Sequence, residues 1–158
     1  MVVFDANIPR WIASSFSKHF EAARSTYTFM CQGQQVEDKE QNPVFELSLN
    51  VHKYKITADY IKATVSVLIL IKTEISDKDL YRMERLIGLM LAAFKPFSVF
   101  KYGTGPDDNS TTVLGCAKPA ANPGDNSEII VTNFGQISPK VQLQQSSIEG
   151  YFLVEIGS

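Results

Sequence analysis

The 158-residue sequence predicts one α+β domain spanning residues 1–158: a mixed, mostly antiparallel sheet packed against two helices, with a long hairpin arm. Three observations point to this class. Apolar residues recur at helical spacing in two separate segments, and a nearly unbroken period of two runs through Ile61–Thr73. Shorter alternating runs, separated by Gly-, Pro- and Asn-rich stretches, fill most of the remainder. A chain of this length buries about 68–70% of its unfolded surface, and 44% hydrophobic residues supply a core to match.

The first helix opens at Asn7, a good N-cap, with Pro9 tolerated in the first turn. Ile8, Trp11, Ile12, Phe16 and Phe20 form its apolar stripe, which ends near Ala23 and must be covered by the sheet or by a neighbouring subunit. Tyr27, Phe29 and Cys31 then alternate with polar residues, as do Phe45, Leu47 and Leu49. The polar run Gln32–Pro43 between them reads as a long loop joining two strands of a hairpin arm.

Ile61, Ala63, Val65, Val67, Ile69 and Ile71 give the next strand one apolar face throughout. Its other face starts wet at Lys62, Thr64 and Ser66 and turns apolar at Leu68 and Leu70, where a second helix could lie. That helix follows directly. Ser76 is placed to cap it, Asp79 stands three residues on, and Leu80, Met83, Ile87, Met90, Leu91 and Phe94 make its stripe before Pro96 stops it. Gly88 within it costs about 1 kcal/mol against Ala, so a close backbone approach is expected there.

Strands are predicted over Phe97–Gly103, Thr111–Ala117, Glu128–Gly135 and Val141–Ile156. In the last, the apolar positions change from odd (Val141, Leu143) to even (Ile148, Phe152, Val154, Ile156). A one-residue slip turns the buried face over, so a bulge or break is expected near Gln144–Ser147.

The stretch KYGTGPDDNSTTVLGC (Lys101–Cys116) invites a phosphate-loop reading that its chemistry denies. It lacks the lysine and the following helix such a loop requires, and Pro106 removes a backbone donor. Asp107, Asp108 and Asn109 are hard oxygen ligands, with Asp125 in a later loop, but they lack the alternate spacing and closing glutamate of a calcium loop. The stretch reads as an exposed turn. The two histidines, His19 and His52, match no nucleophile motif and make a poor zinc site. Catalytic, cofactor and metal sites are therefore all expected to be absent, and His19 is expected on the helix surface.

The net charge of −2, from 15 basic and 17 acidic residues, speaks against a broad nucleic-acid groove. Cys31 and Cys116 read as small apolar residues rather than a disulfide. Neither a signal peptide nor a membrane span is expected, since the longest apolar run is Val67–Ile71.

Four stretches together, NIPRWIASSFSKHF, ATVSVLILIKT leading into SDKDLYRMERLIGLMLAAF, the Lys101–Cys116 loop, and NFGQISPKVQLQQSSIEGYFLVEI, resemble the tail-terminator and head–tail joining proteins of bacteriophages. The resemblance rests on element order more than on a signature. It implies a non-enzymatic virion protein whose copies close into a ring, here a hexamer, beside neck and tail proteins, with DNA at most passing through. It also implies residence in the virion, and in the host cytoplasm during assembly. The subunit or partner contacts are expected at Trp11 and Phe16 on the first helix and at Gln142, Gln144, Gln145 and Ser146, whose neutral hydrogen-bonding groups suit a wet interface. The alternative is a small β-rich domain that binds carbohydrate at Tyr102, Asp107, Asp108 and Asn109.

Overall fold

The computed structural model describes residues 4–25, 27–31, 44–75, 79–103, 111–120, 129–138 and 141–157, with backbone only for 137–138 and 141–142. The elements run α1 (Ile8–Ala22), β1 (Thr28–Cys31), β2 (Val44–Ile56), β3 (Tyr60–Glu74), α2 (Arg82–Leu91), β4 (Phe97–Tyr102), β5 (Thr111–Ala120), β6 (Ile130–Ser138) and β7 (Val141–Gly157). The strands form one sheet in the order β1-β2-β3-β7-β5-β4, and β6 also pairs with β7. β7 has 17 residues, enough for two partners on one side. Its first half pairs with β6 and its second half with β5, while β3 lies along the other side from end to end.

The period-two reading of β3 is realised. Ile61, Ala63, Val65, Val67, Ile69 and Ile71 are all buried, and they face the helices together with Ile148, Phe152, Val154 and Ile156 of β7. Phe152 is the meeting point of the aromatic core. Its ring lies 5.2 Å from Phe16 and 6.0 Å from Phe20 on α1, 5.4 Å from Phe94 after α2, and 5.6 Å from Phe97 on β4. Edge-to-face and tilted pairs at this range add to plain area burial.

Four expectations need correction. The strands proposed for the hairpin arm, β1 and β2, run parallel. A hairpin makes antiparallel strands, whereas a parallel pair needs a connection of about a dozen residues. The intervening run, 32–43, is long enough for one and lies outside the described residues. The helical rise after β3 begins only at Arg82, so Leu80 is exposed rather than part of the stripe, and Ser76 lies outside the described residues. Leu68 and Leu70 are not covered by α2. Phe94 meets Gly150 on the core face, and the two leucines stay half-buried outside the core cluster.

Gly88 has open space where a side chain would project. The close approaches fall on strand glycines instead. A Cβ on Gly115 would lie 2.0 Å from the Glu155 carbonyl oxygen, and one on Gly150 would lie 2.5 Å from the Phe94 ring.

The bulge expected in the last strand near Gln144–Ser147 is not there; the extra residue lies opposite, in its partner β6. β7 keeps one continuous register with β3 from Gly157 to Leu143. The shift occurs between Asn133 and Gly135 of β6, opposite Ser146 and Gln145, where Phe134 is the extra residue and Gly135 adopts φ 68°. Only glycine takes that conformation without strain.

Gly115→Ala should destabilise the fold by at least about 2 kcal/mol, because the obstructing atom is backbone, while Gly88→Ala should stabilise it by up to about 1 kcal/mol. Urea titrations of both variants would check the contrast. Phe152→Ala should cost about 3–5 kcal/mol by the same measurement.

Candidate functional site

Two surfaces combine accessible side chains with defined geometry: the seam between α1 and β4, and the outer edge of β6.

At the seam, a groove of ≈ 440 Å³ is lined by Ser15, Lys18, His19, Phe97, Ser98 and Tyr102 among others. β4 is the last described strand on this side, and α1 side chains bond the backbone of Phe100 and Tyr102. The Phe100 N–H donates to Ser15 Oγ at 2.9 Å, and Trp11 Nε1 donates to the Tyr102 carbonyl at 3.1 Å. Lys18 Nζ stands 4.2 Å from the centre of the Tyr102 ring. His19 stacks on Phe97 at 3.9 Å and its Nε2 lies 2.7 Å from the Ala93 carbonyl. His19 is thus a half-buried tie from α1 to the end of α2, not a surface residue. Burial pushes its pKa below the ordinary value, Lys95 adds to the effect, and the Ala93 carbonyl opposes it. The polar groups lining this groove hold α1 onto the sheet edge.

The β6 edge has a different character. Ile129, Ile130, Val131 and Phe134 are 37%, 47%, 41% and 58% exposed. β6 pairs with β7 on one side, and along Ile130–Phe134 no described strand pairs with the other. An apolar strand edge of this kind is a ready template for another strand.

The interface candidates taken from sequence are dispersed. Trp11 and Phe16 are 2% and 0% exposed, packed into the chain's own core, so they offer no contact surface. Ser146 is fully buried opposite Ile71, and its hydroxyl is without a hydrogen-bond partner among the described residues. Gln144 is half-buried, with Nε2 3.5 Å from the Glu74 carbonyl. Gln145, one position on, belongs to the opposite face, since successive strand residues alternate. The side chain of Gln142 lies outside the described residues, as do Asp107, Asp108, Asn109 and Asp125. The polar run therefore does not form a single wet face. Sequence reasoning passed over β6, whose signal was a run of nine residues, Ile130–Ser138, with no charge.

His52 is the extra residue at a register shift in β2, exposed, with its ring 5.7 Å from Tyr151. Among the described residues no group of three His, Cys, Asp or Glu side chains is placed to hold a metal ion, and no helix is long and apolar enough to cross a membrane.

No known protein-family pattern matches the chain, and no curated protein matches it. One solved structure, of a protein whose name is only a sequence identifier, is similar over 92% of this chain and 94% of its own, with a TM-score of 0.51 and 12% identity. At that identity the likeness extends to the fold alone.

Because the folded state lowers the pKa of His19, its contribution to stability should be complete above about pH 6.5, the value expected unfolded. It should be lost as pH falls through the lower folded value. Thermal melts from pH 7.5 to 4.5 should show this loss in the wild type and a flatter profile in His19→Gln.

Proposed function

We propose that the chain is a phage virion structural subunit, a ring-forming tail terminator or head–tail connector that joins neck and tail by protein–protein contacts. The observation that carries this reading is the β6 edge, which exposes Ile129, Ile130, Val131 and Phe134 beside a row of backbone donors and acceptors that no described strand pairs. Exposed apolar edges are normally blunted by charge, proline or a covering element unless another chain is meant to occupy them. The order of helices and strands that resembles neck and terminator proteins supports the same conclusion. In this reading the chain works in the virion after assembling in the host cytoplasm. Its partners are other copies in a closed hexameric ring and the adjoining neck and tail proteins, with DNA passing through the opening.

Native mass spectrometry of the purified chain should give a closed oligomer. Ile130→Glu should shift most of the population to monomer while leaving the thermal midpoint within a few degrees, because Ile130 is already half-exposed. A wild-type chain that stays monomeric and never joins particles would overturn the proposal.

A further inference from the structure

The sheet carries charge unevenly. β2 contains Glu46, Lys53 and Lys55; β3 contains Lys62, Lys72 and Glu74; β7 contains Glu149 and Glu155; β5 contains Lys118 and β4 contains Lys101. Among the described strands only β1 and β6 contain none. This reverses the usual arrangement, in which charges guard the outermost strands.

These two strands also lie at opposite ends of the same cross-strand rows. Phe29 pairs with Phe45, Phe45 with Ile71, Ile71 with Ser146, and Ser146 with Asn133. Met30 leads in the same way through Glu46, Leu70 and Ser147 to Thr132. β1 is parallel to β2, β2 and β7 are both antiparallel to β3, and β6 is antiparallel to β7. So β6 runs opposite to β1. A second sheet placed at the end of the row in the same orientation would bring its β1 against β6 as an antiparallel neighbour, the better of the two ladder geometries.

We infer that the β6 edge of one copy pairs with the β1 edge of a second copy of this chain, extending the five-strand rows from subunit to subunit. The inference rests on the self-assembly proposed above and names the surfaces it uses. The occupant is a second copy because matching uncharged edges end the same rows of one sheet, with the polarity each needs from the other. Such an interface joins two different surfaces and leaves one of each at the ends of any open assembly, so repetition closes a ring or builds a filament.

The test uses two charge variants of the full chain, Val131→Lys on β6 and Thr28→Lys on β1, with Thr28→Glu in reserve should the lysine disturb folding as judged by circular dichroism. In sedimentation velocity the wild type should form the oligomer, and each variant alone should be monomeric. An equimolar mixture should form a dimer and nothing larger, since each variant keeps the edge that the other has lost. If the β1 variant assembles like the wild type while Val131→Lys does not, or if the mixture stays monomeric, β1 is not the partner and the inference falls while self-assembly stands. If the wild type is itself monomeric, the proposed function falls with it.

Discussion

The position of Phe152 is the constraint on which the rest of the fold depends. It stands on β7, the strand that joins the two wings of the sheet, opposite Val65 of β3 on one side and Pro119 of β5 on the other. From there its ring reaches both helical segments and β4. The neighbouring glycine two residues back, Gly150, leaves the space that Phe94 fills. One large side chain next to one missing side chain thus sets how the segment after α2 sits on the sheet. The helices can lie only where those rings interdigitate, on a single face.

That single-sided cover divides the molecule into a closed layer and an open one. Behind the helices, every inward position of β3 from Ile61 to Thr73 is buried. On the opposite face Lys62 lies beside Glu155 at 3.7 Å, and Leu68 and Leu70 are half-buried. The three outermost strands are treated differently. β4 is tied to α1 by two hydrogen bonds, the Phe100 N–H to Ser15 Oγ and Trp11 Nε1 to the Tyr102 carbonyl. β1 and β6 are left chemically neutral. One outer strand is thus tied down by side chains of the first helix, while two others carry no charge.

Much of this was legible in the sequence where a local rule agreed with the packing. The stripe Ile8, Trp11, Ile12, Phe16 and Phe20 and the alternation of β3 were read correctly because each follows one period. The change of apolar parity along the last strand was misread as a bulge within it. β7 keeps one register with β3, so Leu143 lies on the face away from Ile148 and Phe152, and the extra residue sits in β6, whose pairing sequence alone does not show. The direction of β1 was misread because it depends on how 32–43 connects, not on any side chain within the strands. Trp11 and Phe16 were read as a possible contact surface because an amphipathic stripe looks the same whether its own sheet or another chain covers it. β6 was missed as an edge because edge status follows from strand order, which is set by long-range pairing.

The bulge in β6 has a consequence for how far any added strand can run. Phe134 interrupts the ladder and Gly135 turns the backbone, so the regular stretch before them spans only Ile130–Asn133. That is four residues, the same length as β1. Bulges increase local twist, so a longer intruding segment would lose alignment beyond the fourth position. The kink thereby acts as a ruler: it admits a short strand and discourages the open-ended stacking to which uncharged, apolar edges are prone.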